Sequence, residues 1–367
     1  MPGGEDTVVA SEKKMLEENG HQVRTYYRHN SELDKYSLVE KWKLLTSTTW
    51  NKASYAEIKQ AIQEFKPDVC HVHNFLPLIS PSVSAACKEE SVPLVQTLHN
   101  YRQMCANGLL LRNNKVCETC VGASAYRSVS RKCYRDSHLQ TFAVARMLEN
   151  TDWQQHADAY LCFTSFMKQK YVAHGLPAEK IHIKPNFVEH LTHADVQDRP
   201  YLIYVGRLEE NKGVELFKEI GEKLPVPLLV VGDGVLSSAL QGVQNVKLLG
   251  AKSSKETREL IHNASALLFP SRSYEGMPMT ILEAFAEKTL VIASDLGAMQ
   301  SMVRHKENGL LFDPGSSVEL LDKINFVLEN ESLAKAMTER AFRDVEEQYS
   351  RTKNYELLMN VYEQVIG

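Results

Sequence analysis

The sequence has no apolar run near the ~20 residues that a membrane-spanning helix requires, and no charged-then-apolar leader, so a cytosolic protein is expected. Cysteine is sparse and odd in number, seven in 367 residues, which does not suit a secreted disulfide framework. Charge of one sign is not in excess. The net charge of -4 makes no case for a nucleic-acid partner. Repeats and low-complexity segments are missing. So is G-x-G-x-x-G, which removes support for nicotinamide binding. Gly206-x5-Lys212-Gly213 is not a P-loop, because neither Ser nor Thr follows the lysine. No D-x-D motif is present.

A first strand is missing too. Met1-Pro2-Gly3-Gly4-Glu5-Asp6 reads as a Gly-rich loop leading into a helix over 7–18, with Val8, Val9, Met15 and Leu16 as its apolar positions. In a doubly wound sheet such a loop follows the first strand. The preferred reading is a truncated or misassigned start; the alternative is a chain that does without the strand. Either would leave a gap in the sheet.

What is present is ordinary globular composition, 43% hydrophobic and 24% charged, in a length comfortable for two domains. Strands are predicted at 22–26, 68–73, 92–98 and 157–163, with an amphipathic helix over 55–65. That alternation is α/β with a mostly parallel sheet. His73, Asn74, His99 and Ser165 stand at strand C-terminal ends, where such sheets bind ligands. A lone histidine is more often a satisfied interior residue; two at two strand ends give function equal standing. Residues 186–200 read as a linker. A second α/β pattern follows, with strands at 201–205, 227–231, 246–249, 265–269, 289–293 and 310–312. Its helices fall at 214–223, 254–262, 317–329 and 332–348, and an amphipathic segment over 353–365 closes the chain.

The second half is organised around residues 269–286. An apolar strand gives way to a polar loop, Ser271 to Gly276. Pro278 sits where a first-turn proline is tolerated, and Ile281, Leu282, Phe285 and Ala286 have helical spacing. Unpaired N–H groups and the helix dipole make such a terminus a seat for phosphate. Glu275 precedes it and Glu283 lies roughly two turns in. Arg207 and Lys212, after the half's first strand, are surface ion-pair residues if taken singly. Beside an anion site they read as a diphosphate clamp, one a planar fork of donors and the other a movable point charge. A nucleotide sugar fits a diphosphate seat flanked by carboxylates.

Residues 100–147 form an insertion carrying Cys105, Cys117, Cys120 and Cys133, a C-x11-C-x2-C-x12-C pattern. It is a candidate zinc site; a redox pair or four ordinary thiols are the rivals. The insertion is also basic, with Arg102, Arg112, Lys115, Arg127, Arg131, Lys132, Arg135 and Arg146 against Glu118 and Asp136, and Tyr126, Tyr134 and Phe142 interleaved. A solvated face is the plain reading. A surface for anionic lipid or a lipid-linked diphosphate is the functional one.

Over nearly its whole length the chain resembles the retaining family-4 glycosyltransferases of the GT-B fold. The resemblance rests on Gly206-Arg207-Leu208 with Lys212-Gly213, on Val231-Gly232-Asp233-Gly234, and on Glu275 with Glu283, the family's E-x7-E. The strand over 68–73 and His99 also match, and Met1 to Glu5 looks like the family's acceptor-side loop without its strand. The resemblance implies two Rossmann-like domains facing a cleft: 1–190 on the acceptor side, 191–350 for the nucleotide sugar, and a helix over 351–367 crossing back. It implies Arg207 and Lys212 on the donor diphosphate, Glu275 by the transferred sugar, and Glu283 on the ribose. Gly206, Asp233, Gly276, Met277 and Pro278 would complete the donor site. His99 would meet sugar or acceptor, with Gly3, Gly4 and His73 on the acceptor side. Transfer from a UDP- or GDP-type sugar to a lipid-linked or polysaccharide acceptor follows. It would retain configuration, need no metal, and run in the cytoplasm or at the inner face of the plasma membrane in envelope or capsule synthesis. A nucleotide-sugar epimerase and a non-catalytic degenerate transferase are the alternatives. A glycosidase is disfavoured, since its carboxyls must oppose each other across one bond.

Overall fold

The computed structural model describes residues 4–35, 37, 47–194, 196 and 198–367. They fall into two compact units. The first comprises Met1–Leu110, Cys117–Lys184 and Tyr355–Gly367; the second comprises Leu111–Val116 and Pro185–Asn354.

The sheet of the first unit runs β1 (Cys70–Val72), β2 (Leu94–Thr97), β5 (Ala159–Cys162) and β6 (Ile181–Ile183), paired in that order and parallel throughout. Every residue of β2 and β5 is buried, whereas β1 is only half-buried. That difference follows from position. Inner strands of a parallel sheet are covered on both faces, and β1 lies at the edge of the sheet among the described residues. The short hairpin of β3 (Leu111–Arg112) and β4 (Lys115–Val116) is counted with the second unit.

Two expectations for this unit are corrected. Residues 22–26 form no strand. No ladder partner stands beside them among the described residues, and their side chains instead meet the Lys52–Phe65 helix through Arg24–Glu64 (2.9 Å) and Tyr26–Glu57 (2.5 Å). The N-terminal helix begins at Gly4, so Gly4 is helical rather than part of an open loop; Gly3 lies outside the described residues. Glu5 and Asp6 occupy its first turn, where the dipole favours acids. Val8, Glu12 and Met15 lie along one buried stripe, which puts a carboxylate in the core.

The second unit holds a six-stranded parallel sheet in the order β12-β11-β10-β7-β8-β9: β7 (Tyr201–Val205), β8 (Leu228–Val231), β9 (Val246–Gly250), β10 (Ala264–Phe269), β11 (Leu290–Ser294) and β12 (Leu310–Phe312). From β7 the chain winds outward through β8 and β9, then restarts at β10 on the other side. The strand order therefore reverses between β7 and β10, the place where open α/β sheets bind ligands. Leu202, Tyr204, Phe217, Leu268, Ile292, Phe312 and Leu320 form the core beneath. Of the 186–200 linker, Val188 and Thr192 bond into the second unit, to Tyr349 and Ala286. The last helix, Arg351–Ile366, has its final residues in the first unit, where the Tyr362 hydroxyl meets His71 Nδ1 at 2.7 Å.

Candidate functional site

The loops after β7 and β10 are joined. Arg272 N donates to Asn211 O (2.9 Å), and Ser271 Oγ reaches the same carbonyl (3.3 Å). Glycine makes this closeness possible. A Cβ on Gly213, whose φ is +69°, would stand 2.0 Å from Pro270 O. The β7 loop also leans on the turn after β8: a Cβ on Gly232 would meet Gly206 O at 2.0 Å, and one on Gly234 would meet Leu208 O at 2.3 Å. These contacts explain the glycines by backbone approach.

The joined loops bring Lys212 to Glu275. Their ion pair is 2.8 Å long with both side chains mostly buried, and Ser271 Oγ donates to the same carboxylate oxygen at 2.6 Å. Glu275 stands four residues before the Met279–Ala286 helix. That helix starts from Pro278 with no side-chain cap, and Ile281 N already turns back to Pro278 O, so the tip keeps free N–H groups. Pro278 is thus the cap residue rather than the first helical one. Met277 is buried beside it, its sulfur accepting from Asn186 N at 3.2 Å, and Gly276 is half-buried in the turn.

Glu283 lies in the second turn of this helix. Burial raises its carboxyl above the ordinary range; Arg258 opposes the rise and Glu287 adds to it. Arg207 is placed differently from the reading as a clamp. Its side chain is 70% exposed and pairs with Glu209 at 2.8 Å. Asp233 is exposed and accepts from Ala251 N at 3.1 Å, which ties the ends of β8 and β9 together. Ser271, which fixes the Glu275 carboxylate, was not singled out from the sequence; a serine four residues before a glutamate carries no motif.

In the first unit, His73 and His99 do meet: Nδ1 of one lies 3.0 Å from Nε2 of the other. His71 stacks on His73 with centroids 4.3 Å apart. Burial lowers all three rings to about 3, so they are neutral near pH 7. Beside them Glu12 is ion-paired with Lys184, both almost fully buried, and Glu12 Oε2 has His73 Nε2 at 3.4 Å. Burial pushes the Glu12 carboxyl up, but the Lys184 ammonium outweighs it, and it sits below its ordinary value. No sequence signal announces this pair, whose members stand 172 residues apart. Glu12, His71 and His73 offer ligand atoms all within 4.8 Å of one another. However, Lys184 neutralises Glu12 through Oε1, leaving only Oε2 without a hydrogen bond, and both His71 nitrogens are bonded, to Tyr362 and Thr97. The trio is better explained as a hydrogen-bonded core than as a metal centre.

A pocket opens on this cluster, lined by His73, His99, Gln96, Arg102, Gln103 and Trp153 among others. Gln96 Oε1 and Arg102 Nε are buried in it without a hydrogen-bond partner. Asn74, which also lines it, donates to Glu5 at 3.3 Å. Burial raises the Glu5 carboxyl to about 7, against the pull of Asn74 and Arg102.

Residues 2–190 match the family described as Glycosyltransferase Family 4, and residues 189–344 match Glycosyl transferases group 1. An uncharacterized glycosyltransferase of Methanocaldococcus jannaschii is 24% identical over 81% of this chain and 75% of its own length. The N-acetyl-alpha-D-glucosaminyl L-malate synthase of Bacillus anthracis is 23% identical over 99% of this chain and 94% of its own. Several other curated relatives, among them the lipopolysaccharide 1,6-galactosyltransferase of Salmonella typhimurium and a putative teichuronic acid biosynthesis glycosyltransferase of Bacillus subtilis, match over about half of their own length. Among solved structures, Anabaena HepE in complex with UDP superimposes with a TM-score of 0.68 at 17% identity, covering 99% of this chain and 97% of that one.

Proposed function

The chain belongs to glycosyltransferase family 4 and has the GT-B fold, and from that premise we propose that it moves a hexosyl group from a UDP-sugar to a lipid-linked or polysaccharide acceptor, with retention and without a metal. The observation that carries the donor half is the Lys212–Glu275–Ser271 arrangement at an uncapped helix start, on loops that flank the reversal of strand order.

As the sugar C1–O bond breaks, its electron pair goes to the leaving diphosphate. The ammonium of Lys212 and the free N–H groups at the helix tip stabilise that charge, a role that suits preorganised donors. Arg207 reaches the same phosphates by leaving Glu209, an exposed pairing that costs little to break. The acceptor hydroxyl adds to C1 from the face the diphosphate leaves, and its proton passes to a leaving phosphate oxygen. Glu275 holds the sugar through its second carboxylate oxygen, and Glu283 takes the ribose hydroxyls. UDP is favoured because HepE holds it, and an acceptor in envelope polysaccharide because several relatives are named for that work.

The acceptor half is supported by the pocket of the first unit. A guanidinium Nε with no acceptor, lodged beside amides and neutral imidazoles, suits an acceptor that carries a carboxylate or phosphate. Exposed Tyr126, Leu139 and Phe142 lie near exposed Lys132, Arg135 and Arg146 in sequence, a composition that suits an anionic membrane surface. No helix among the described residues is long and apolar enough to cross a membrane.

The test is a panel of UDP- and GDP-sugars, first by thermal shift and then by release of the nucleotide in the presence of lipid-linked acceptors. Stabilisation by one donor, and its turnover only with acceptor, is the expected result. Conversion of donor to another nucleotide sugar without acceptor would instead identify an epimerase. Full transfer by Glu275→Ala or Lys212→Ala would sink the donor site.

A further inference from the structure

Between residues 111 and 137 only Ala125 and Ser128 are buried. A segment of this length without an apolar core does not hold its shape by hydrophobic burial, and small folds of that kind depend on disulfides or a metal. Its backbone is nevertheless demanding. Asn113, Asn114, Lys132, Arg135 and Asp136 all have φ near +50°, a left-handed conformation that non-glycine residues keep only when their surroundings enforce it.

The segment has three half-buried thiols, Cys117, Cys120 and Cys133, with a fourth, Cys105, shortly before it, and hydrogen bonds tie together the pieces of chain that carry them. Cys117 N donates to Leu110 O (2.8 Å), which closes the hairpin between Cys105 and Cys117. Val121 N bonds Glu118 O and Ala123 N bonds Cys120 O, so two tight turns, Glu118–Val121 and Cys120–Ala123, overlap at Cys120. The 3-10 helix Ala125–Arg131, which delivers Cys133, is fastened to the first of these turns by Arg127 to Thr119 O (3.2 Å) and Arg131 to Thr119 Oγ1 (2.7 Å). All four cysteines are free of disulfides.

We propose that Cys105, Cys117, Cys120 and Cys133 bind one structural zinc ion, which holds together the stretch from 111 to 137, where the insertion has almost no buried side chains. Among the described residues, no three of the four sulfurs lie mutually within 4.8 Å. Binding draws them in to Zn–S distances of ~2.3 Å. The four thiols give up four protons and become four thiolates around one divalent cation, leaving a net charge of minus two. Arg131, whose Nη1 lies 3.9 Å from Cys117 Sγ, and the basic residues nearby in sequence offset that charge. The site is closed, with four protein ligands and no open position, so its role is in folding and not in sugar transfer. The remaining cysteines are elsewhere: Cys70 and Cys87 are free thiols that share a hydrogen bond, and Cys162 is buried in β5.

Elemental analysis of the purified full chain tests the proposal. About one equivalent of zinc is expected, with its loss in chelator lowering the melting temperature. Cobalt in its place should give the thiolate-to-metal charge-transfer bands of a tetrahedral sulfur site. Cys117→Ser and Cys120→Ser should each lose the ion, while Cys70→Ser keeps it. If the serine variants do not fold, X-ray absorption at the zinc edge of the unaltered chain still decides, with four sulfurs at ~2.3 Å expected. Less than about half an equivalent with unchanged melting in chelator, a Cys117–Cys120 disulfide in the isolated chain, or a zinc shell of nitrogen and oxygen alone overturns it.

Discussion

Lys212 Nζ stands 2.8 Å from Glu275 Oε1, and the two residues arrive on loops from β7 and β10, the strands on either side of the point where the sheet reverses its order. The lysine therefore has two tasks, holding the carboxylate and meeting the leaving diphosphate. Lys212→Ala should lower turnover by at least ~10²-fold, the usual effect of removing one donor aimed at developing charge. Lys212→Arg should recover only part of that, because a planar fork cannot take the place of a point charge in a site this closely packed. Initial rates at saturating donor, with melting curves to show an unchanged fold, make the check.

Gly213→Ala should abolish donor binding. The added Cβ would lie 2.0 Å from Pro270 O, a backbone atom that cannot rotate away, at a φ of +69°. Gly175 is the control: its φ is also positive, at +107°, but nothing lies within 4 Å of its Cβ. Gly175→Ala should cost only the backbone term, ~1 kcal/mol, and leave binding intact. Isothermal titration with UDP and chemical denaturation separate the two effects.

Stability should fall as the pH is lowered from about 6.5 towards 3. Burial holds His71, His73 and His99 at about 3, against an ordinary value of 6.5. Across that window the unfolded chain takes up protons that the folded chain refuses, so acid favours unfolding. Their contribution is fully present above 6.5. Glu5 has the opposite sign. Its carboxyl is raised by burial from 4.5 to about 7, so its contribution is present below 4.5 and is lost as the pH rises through 7. His73→Gln should flatten the acid limb and Glu5→Gln the neutral one. Urea midpoints measured from pH 4 to 8 distinguish them.

Much of the second unit was legible because its elements carry local signals. Tyr201–Val205, Ser254–His262, Leu310–Phe312 and Ser317–Glu329 lie where apolar period and capping residues put them, Ser253 with Glu256 forming a full capping box. Glu275 and Lys212 stood out because each sits beside glycine at a strand end. The first unit was less legible. Residues 22–26 have the β-rich look of a strand, but a strand exists only beside a partner, and that is a tertiary fact. Arg207 and Lys212 read alike as cations in one loop, yet one is packed and the other exposed. Ser271 and the buried Glu12–Lys184 pair depend on contacts between distant segments, which no spacing rule reveals.

That buried pair yields the last prediction. Glu12 and Lys184 have side chains 3% and 1% exposed, with the three neutral histidines close by. Removing one partner leaves the other charge buried in surroundings that cannot hydrate it. Lys184→Met should therefore destabilise the chain by ~3–5 kcal/mol. The double substitution Glu12→Gln with Lys184→Met removes both charges and should recover most of that loss, since a buried ion pair is often no better than a well-packed neutral one. Transfer activity at permissive temperature should survive in the double variant, because neither group touches donor or acceptor in the scheme above. Denaturation of the single and double variants supplies the cycle. If the double variant is as unstable as Lys184→Met alone, the charges are not what the pair contributes, and packing by the lysine stem is.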